Sequence, residues 1–552
     1  MSYEHETVDE MIRSRRSDPG AAIVFEDQRW SWDEHARASA TRAAVALSLR
    51  RSGPFHIGFL LENVPELSLW LGAGAVSGAT MVGINPTRRG DELATDIRHT
   101  DCQLLVTERR LLTLLDGLDA GLAAERVLVV DDPRYAELCS AHETSTFPDR
   151  PVPGDATVLL VFTSGTSGAP KAARVTQQRL ARYGRTLSAS QDLTSASVAY
   201  LAMPMFHSNA LYAGWSPCVY VGATMALRRR FSASAFIDDV RRYGVTYFNY
   251  VGKPLSYIVA TPERPDDRDN TLLRVLGNEG AEVDIRRFSE RFGVEVIDNY
   301  GSTEGGVTVM RSPDQPPGAL GRLPDGVLVV DAATGAPCPP ARFDPDGRLL
   351  DAEECIGEIV NTGPGSFEGY YNNETAAVDR MRGGWYWSGD LGYVDADGWL
   401  WFAGRTHDWL RVDGENFAAA PVERVVNRFP GAVLAAVYAV PALDVGDEVM
   451  VALELAPDSN FDAVAFDAFL DAQRDLGTKW RPHYVRITPD LPVTATAKVL
   501  KRQLRAQRWE CDDEIWWRPE RAKTLRRLTS GDVAALRAAF EARGRGRQLD
   551  AG

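Results

Sequence analysis

Short runs of Val, Ile, Leu and aromatic residues alternate through the first half of the chain with longer segments whose apolar positions recur at helical spacing. The run 21–32 (AAIVFEDQRWSW) alternates around an Asp-Gln turn and predicts a hairpin; 33–51 follows as an Ala- and Arg-rich helix with Asp33 at its N-cap. Strands are predicted at 55–61, 80–84, 103–107, 126–131, 158–162, 199–203, 222–228, 245–251, 273–276 and 295–300. Helices are predicted at 65–78 and 91–99, and an amphipathic one before 244 with Ser232 as its cap. Strands alternating with helices imply βαβ units and a largely parallel sheet. Three of the strands run into glycine-containing loops, TSGTSG from Thr163, GNEGAE from Gly277 and GSTEGG from Gly301. Ligands of open α/β sheets bind beyond the carboxyl ends of strands, so these loops are expected at one site.

The texture changes further on. Residues 318–404 carry short strand patterns with many Gly, Pro and Asp turns, which predicts a β-rich subdomain. A charged stretch at 405–408 reads as a hinge. Beyond it, strands at 432–440, 449–455 and 483–487 and a helix at 461–475 form a smaller α/β segment. The tail from Arg518 is basic, with a helix at 530–543 expected to lie solvated on the surface.

Composition narrows the function classes. A chain of 552 residues exceeds one ordinary core, and 44% hydrophobic with 25% charged residues is ordinary for a globular protein. A net charge of −15 argues against a general nucleic-acid surface and leaves room for a local cationic pocket. Six scattered cysteines without a CxxC pair suit neither a zinc site nor a disulfide frame. With no apolar signal core at the N-terminus and no bilayer-length apolar run, the expected location is cytoplasmic.

The densest chemistry is at 158–175 (VLLVFTSGTSGAPKAARV). An apolar strand delivers six hydroxyl- and glycine-bearing residues, then Lys171. Glycines let backbone N–H groups approach an anion, hydroxyls donate to it, and the lysine supplies charge. The spacing is not that of the common phosphate loop GxxxxGK[ST].

Together with NYGSTEG (299–305), WYWSGDLG (385–392), GRTHDWLRVDGEN (404–416) and LPVTATAKVLK (491–501), this stretch resembles the adenylate-forming superfamily of acyl-CoA synthetases, nonribosomal adenylation domains and luciferases. FSASAFIDDVRRYGVTYFNYVG and LRVDGENFAAAPVE are most similar to the fatty-acid-transport/very-long-chain acyl-CoA synthetase branch and its bacterial fatty-acid–CoA ligase relatives. The resemblance implies an α/β fold. A large N-terminal adenylation domain (1–405) would hold two doubly wound βαβ subdomains and a small β-rich one. A smaller, mobile α+β C-terminal domain (406–552) would follow. The implied reaction joins a fatty or aryl acid to ATP as an acyl-adenylate, releases pyrophosphate, and then forms a coenzyme A thioester with release of AMP. The same equipment would also serve adenylation of nitrite for transfer to an aromatic amine, or acyl transfer to a carrier protein. A nucleotide sensor without catalysis is a third, non-enzymatic possibility that the retained motif residues disfavour. A homodimer is compatible with the sequence.

By the same resemblance, Thr163, Ser164, Gly165, Thr166, Ser167, Gly168 and Lys171 would hold the β- and γ-phosphates. Asn299, Tyr300, Gly301 and Ser302 would border the nucleotide, with the Tyr300 ring against adenine. Thr303 would contact the α-phosphate and Glu304 a Mg²⁺ ion, a hard carboxylate suiting a hard cation. Asp390 and Arg405 would take the ribose. Gly277, Asn278, Gly280, Ala281 and Glu282 would run along the adenylate. Lys498 would bridge the carboxylate and α-phosphate oxygens during the first step. Ala497 stands where relatives carry Gly; if that position has positive φ, it costs about 1 kcal/mol. His207 in MPMFHS would position or gate the acyl and thiol channel. His407 replaces the Asp or Lys of many relatives at the hinge, where it could make domain rotation mildly pH-dependent. Tyr247, Tyr250 and Val251, with Phe248, are expected to border the acyl pocket, their aromatic bulk favouring a flat or shorter acid.

Overall fold

The computed structural model describes residues 5–549 except 164–169, 281, 313, 346–348, 364, 366, 406–408, 413–414, 444–445, 458, 474–475, 478, 495–498, 520–523 and 547–548, and gives the backbone alone at 405, 409, 411, 415, 416 and 418. Two seven-stranded sheets dominate its N-terminal part. One is ordered Tyr370–Tyr371, Ala172–Thr176, Thr157–Phe162, Thr80–Gly83, His56–Leu60, Cys102–Thr107, Val127–Val129. The other is ordered Val296–Asp298, Arg274–Asn278, Tyr247–Val251, Val198–Leu201, Thr224–Leu227, Ala21–Phe25, Gln28–Ser31. Their central strands are parallel and buried on both faces, which is why they read as continuous apolar runs.

The helices between the sheets explain the join. Pro65–Ser77 has Pro at its start, Gly78 in the left-handed conformation at its end, and buried residues on nearly every side. Its neighbour Trp32–Ser48 is capped by Ser31 and not by Asp33. Ser31 accepts from the Glu34 N–H while the Glu34 carboxylate accepts from the Ser31 N–H, a reciprocal pair that Asp33 cannot form two residues later. One continuous apolar core runs from Val8 to Val296 through both layers.

Ala172–Thr176 returns antiparallel to Thr157–Phe162. Two further expectations are corrected. The amphipathic helix spans Phe236–Tyr243 and Ser232 does not cap it, its hydroxyl meeting Ser234 instead. Phe236 is fully buried and sets where the helix starts. The C-terminal helix Ser530–Ala542 is not simply solvated, because Phe540 is buried near Trp509 with ring centroids 6.2 Å apart.

The β-rich region forms a six-stranded antiparallel sheet around Trp385–Val394 and Trp399–Arg405. The smaller C-terminal domain is built on a five-stranded sheet with a core on each face. It meets the larger domain through a buried ion pair, Lys253 Nζ to Glu454 Oε2 at 3.3 Å. Glu454 also accepts from the Leu491 N–H, fixing the base of the segment that leads to Lys498. No helix among the described residues is long and apolar enough to cross a membrane.

Candidate active site

A cavity of about 690 Å³ opens where the carboxyl ends of the two sheets face the β-rich sheet. The three glycine-containing segments meet there: Thr163 and Lys171, Gly277 and Asn278, and the run Asn299 to Glu304 all line it, as do His207, Val251 and Asp390.

One end of the cavity, where the ribose is expected, is built on two hairpins. Tyr300–Gly301 pairs with Thr308–Val309, and Asp390 sits opposite Arg405 in the ladder of the β-rich sheet. The Tyr300 hydroxyl donates to Asp390 Oδ2 at 2.6 Å. The turn below is tightly held. Gly389 has φ +74°, its N–H donates to Glu358 Oε1 at 2.8 Å, and Ser388 Oγ accepts from the Asp390 N–H. Asp390 is thus a fixed acceptor aimed into the cavity, and Tyr300 is tied to it through its hydroxyl as well as being placed to offer its ring. Tyr300→Phe is expected to raise the KM for ATP about tenfold with little change in folding, since it removes one hydrogen bond to a charged group worth about 1.5 kcal/mol. Steady-state kinetics with ATP varied will check this.

At the opposite wall the Thr303 hydroxyl meets Ser208 Oγ at 2.7 Å. The Thr303 carbonyl accepts from Arg179 Nη2 at 2.6 Å and from the Tyr212 hydroxyl at 3.2 Å. Glu304 is buried, with Oε1 accepting from the Tyr370 hydroxyl at 2.7 Å. Burial and the Glu304 charge push the Tyr370 phenol well above its usual range, so it stays a donor. Among the described residues no group of three or more His, Cys, Asp or Glu gathers into a metal cage.

The apolar arm of the cavity comes from other elements than the sequence suggests. Tyr183 and Tyr212 stack with centroids 4.4 Å apart and planes 7° from parallel. Leu187, Ala213, Val251 and Leu276 complete that lining. Tyr212 and Ala213 lie on a π-helical turn, Ala210–Trp215, a widened helix common at functional sites. Tyr247 and Tyr250 do not line the cavity. Side chains alternate along their strand, and both rings are fully buried in the core. The Tyr247 hydroxyl donates to the Ala213 carbonyl and that of Tyr250 to Asp298 Oδ2 at 2.5 Å. Phe248 is likewise core. The inference of a flat or short acid from these rings therefore falls.

Asp298 organises the loop above it. Its carboxylate also accepts from the Gly280 N–H at 2.8 Å, and burial pushes it up to about 6 against these hydrogen bonds. Gly280 is held there behind the cavity wall, and Glu282 opens the helix Glu282–Phe292; neither lines the cavity. An asparagine chain crosses the sheet end, Asn249 Nδ2 donating to Asn209 Oδ1 and Asn278 Nδ2 to the Asn299 carbonyl.

Ser164, Gly165, Thr166, Ser167, Gly168, Ala281, His407 and Lys498 lie outside the described residues, as does the Arg405 side chain. Thr494, four positions before Lys498, lines the cavity from the C-terminal domain. The sequence reading missed Arg179, Tyr183, Ser208, Tyr212 and Tyr370. The run SNALYAGW after MPMFH was the available signal for two of these, because it joins the His207 segment without a break.

The family model described as AMP-binding enzyme matches residues 13–371. The chain is 49% identical over 553 residues to the steroid-22-oyl-CoA synthetase of Rhodococcus jostii (strain RHA1), with 100% of both chains covered. It is 48% identical over 518 residues to the medium/long-chain-fatty-acid–CoA ligase FadD17 of Mycobacterium tuberculosis, covering 94% of this chain and 99% of that one. Its fold is similar to that of ATP-bound MatB from Rhodopseudomonas palustris, with a TM-score of 0.77 at 22% identity over 91% of this chain and 98% of the other.

Proposed function

We propose that the acid activated by this chain, which belongs to the AMP-binding enzyme family and is an AMP-forming acid–CoA ligase, is a bulky apolar monocarboxylic acid of the fatty or steroid side-chain type. The observation that carries the proposal is the apolar arm formed by Tyr183, Leu187, Tyr212, Ala213, Val251 and Leu276. It offers area for hydrocarbon and stacking, and none of these six residues is a cation for a second carboxylate. The names of the relatives agree with this, and they support coenzyme A as acceptor over an amine or a carrier protein.

The reaction joins two anions, so the site must neutralise charge as the bond forms. A carboxylate oxygen of the acid attacks the α-phosphorus of ATP, and the bond to the bridging oxygen breaks to release pyrophosphate. In our reading Thr303 donates its hydroxyl to an α-phosphate oxygen, oriented by Ser208 and by the two donors on its carbonyl. Lys171 faces the phosphate chain, and Asp390 takes the ribose hydroxyls. Glu304 fits a Mg²⁺ ion, being a buried carboxylate with one oxygen already fixed by Tyr370 at the cavity wall. When bound, such an ion neutralises phosphate oxygens alongside a single protein carboxylate. In the second step the coenzyme A sulfur attacks the acyl carbon and AMP leaves. His207, its ring centroid 4.3 Å from that of Phe206, stands at the cavity edge where it can position that approach. The C-terminal domain, which we place at 406–552, would bring Lys498 for the first step and withdraw it for the second.

The test is AMP release and thioester detection by mass spectrometry across a panel. It would contain a steroid-22-oic acid, fatty acids of graded length, benzoate, anthranilate, malonate and nitrite, each with and without coenzyme A. Turnover confined to the steroid or fatty acids is expected. Turnover confined to aryl acids, malonate or nitrite would refute the proposal.

A further inference from the structure

Four cationic side chains line the described part of the cavity: Arg88, Lys171, Arg380 and Arg382. Two are committed elsewhere. Arg88 lies 3.0 Å from the buried Asp96, and Arg382 lies 3.3 Å from Glu358 with its guanidinium over the Trp387 ring. Among the described residues neither Lys171 nor Arg380 is paired at ion-pair distance with a carboxylate. Arg380 belongs to none of the motifs that mark the family in the sequence, yet its placement is the more constrained of the two. It is the last residue of the helix Glu374–Arg380, where a positive charge also suits the helix terminus. Nη1 donates to the Trp387 carbonyl at 3.0 Å, which holds the guanidinium against the Ser388–Asp390 turn. The fit is close enough that a Cβ built on Gly389 would come within 2.6 Å of that nitrogen. The Tyr370 hydroxyl, which donates to Glu304, and the Glu304 charge itself both act on the guanidinium electrostatically.

We propose that Arg380 is a phosphate-binding residue of the ligase, a fixed guanidinium that contacts the phosphate chain of ATP and the departing pyrophosphate between Glu304 and the Asp390 turn. The inference rests on the function proposed above. A guanidinium carries five N–H donors, so the Trp387 carbonyl orients the group and leaves donors for phosphate oxygens. Because that partner is a backbone carbonyl, the charge is in place before ATP arrives, and little reorganisation accompanies the attack. Lys171 enters from a hairpin tip, whereas Arg380 enters from a helix end across the cavity. The phosphate chain would thus be held from two sides.

Two variants, Arg380→Lys and Arg380→Met, test this by calorimetric titration of pyrophosphate, ATP and AMP in the presence of Mg²⁺, with thermal melting to confirm folding. Arg380→Met is expected to weaken pyrophosphate and ATP about thirtyfold or more while AMP changes less than about threefold, with Arg380→Lys intermediate, as befits loss of one bidentate charged contact. Pyrophosphate affinity within about threefold of wild type in either folded variant would overturn the proposal. So would an equal loss for AMP, which would mark Arg380 as a mere support of the turn bearing Asp390. Should Arg380→Met fail to fold, Arg380→Lys alone decides by the same criterion. Wild-type protein that binds no ATP would instead remove the proposed function, and this inference with it.

Discussion

Lys498→Ala is expected to slow adenylate formation by about a hundredfold to a thousandfold, the scale of removing one preorganised charge from a developing transition state. ATP affinity should change by less than about threefold if, as proposed, the nucleotide is held by Asp390, Thr303 and Lys171, which line the cavity from the N-terminal domain. Thr494 already reaches the cavity from the C-terminal domain, and the segment preceding Lys498 is pinned at Leu491 to Glu454, which pairs with Lys253. ATP–pyrophosphate exchange reads the first step, and thioester formation from synthetic acyl-adenylate reads the second. Loss of the exchange with retention of thioester formation is the predicted split. Equal loss of both would place the lysine's main role outside the first step.

The second large effect concerns Arg179, whose side chain has no solvent exposure. It donates to the carbonyls of Thr303 and Arg174, lies 3.8 Å from Glu368, and faces the rings of Tyr183 and Tyr212 at 5.8 Å each. Gly305 leaves the room it occupies: a Cβ there would stand 2.7 Å from Nη2, at a φ of +67°. Arg179→Met removes a buried charge with its hydrogen bonds and leaves Glu368 and two carbonyls short of partners. A destabilisation of about 3 kcal/mol is expected, or a fall in melting temperature of roughly 3–4 °C for a domain of about 400 residues. Activity should fall in the first step more than in the second, because Thr303 loses one of the two donors on its carbonyl. Differential scanning calorimetry and the half-reaction assays check both parts. A shift under about 1 kcal/mol would show that the Tyr183–Tyr212 stack holds this wall by itself.

Much of this architecture was legible in the chain because parallel strands covered on both faces write themselves as apolar runs. The strand before Thr163 and the loops at Gly277 and Gly301 could be found by eye, and their meeting at one cavity follows from the rule for open α/β sheets. What stayed hidden depended on partners distant in sequence. Ser31 wins the cap from Asp33 only through Glu34, while the burial of Tyr250 is decided by Asp298, 48 positions away. Arg179 looks like one more arginine on a surface helix until Thr303 is brought beside it, 124 positions on. The phenol that fixes Glu304 arrives from the added antiparallel strand at Tyr370, whose pairing with Ala173 no local pattern announces.

The contact between Gly277 and Tyr250 sets where this enzyme's substrate range can change. A side chain at Gly277 would overlap the Tyr250 ring, and that ring is held in place by Asp298. At Gly277 the sheet side of the acid pocket therefore cannot be filled without disturbing the core. Leu187 and Ala213 line the cavity from helical segments and not from the sheet. Divergence toward longer, shorter or more rigid acids, in nature or in the laboratory, would be written on the helices while the sheet kept the carboxylate in register with the nucleotide.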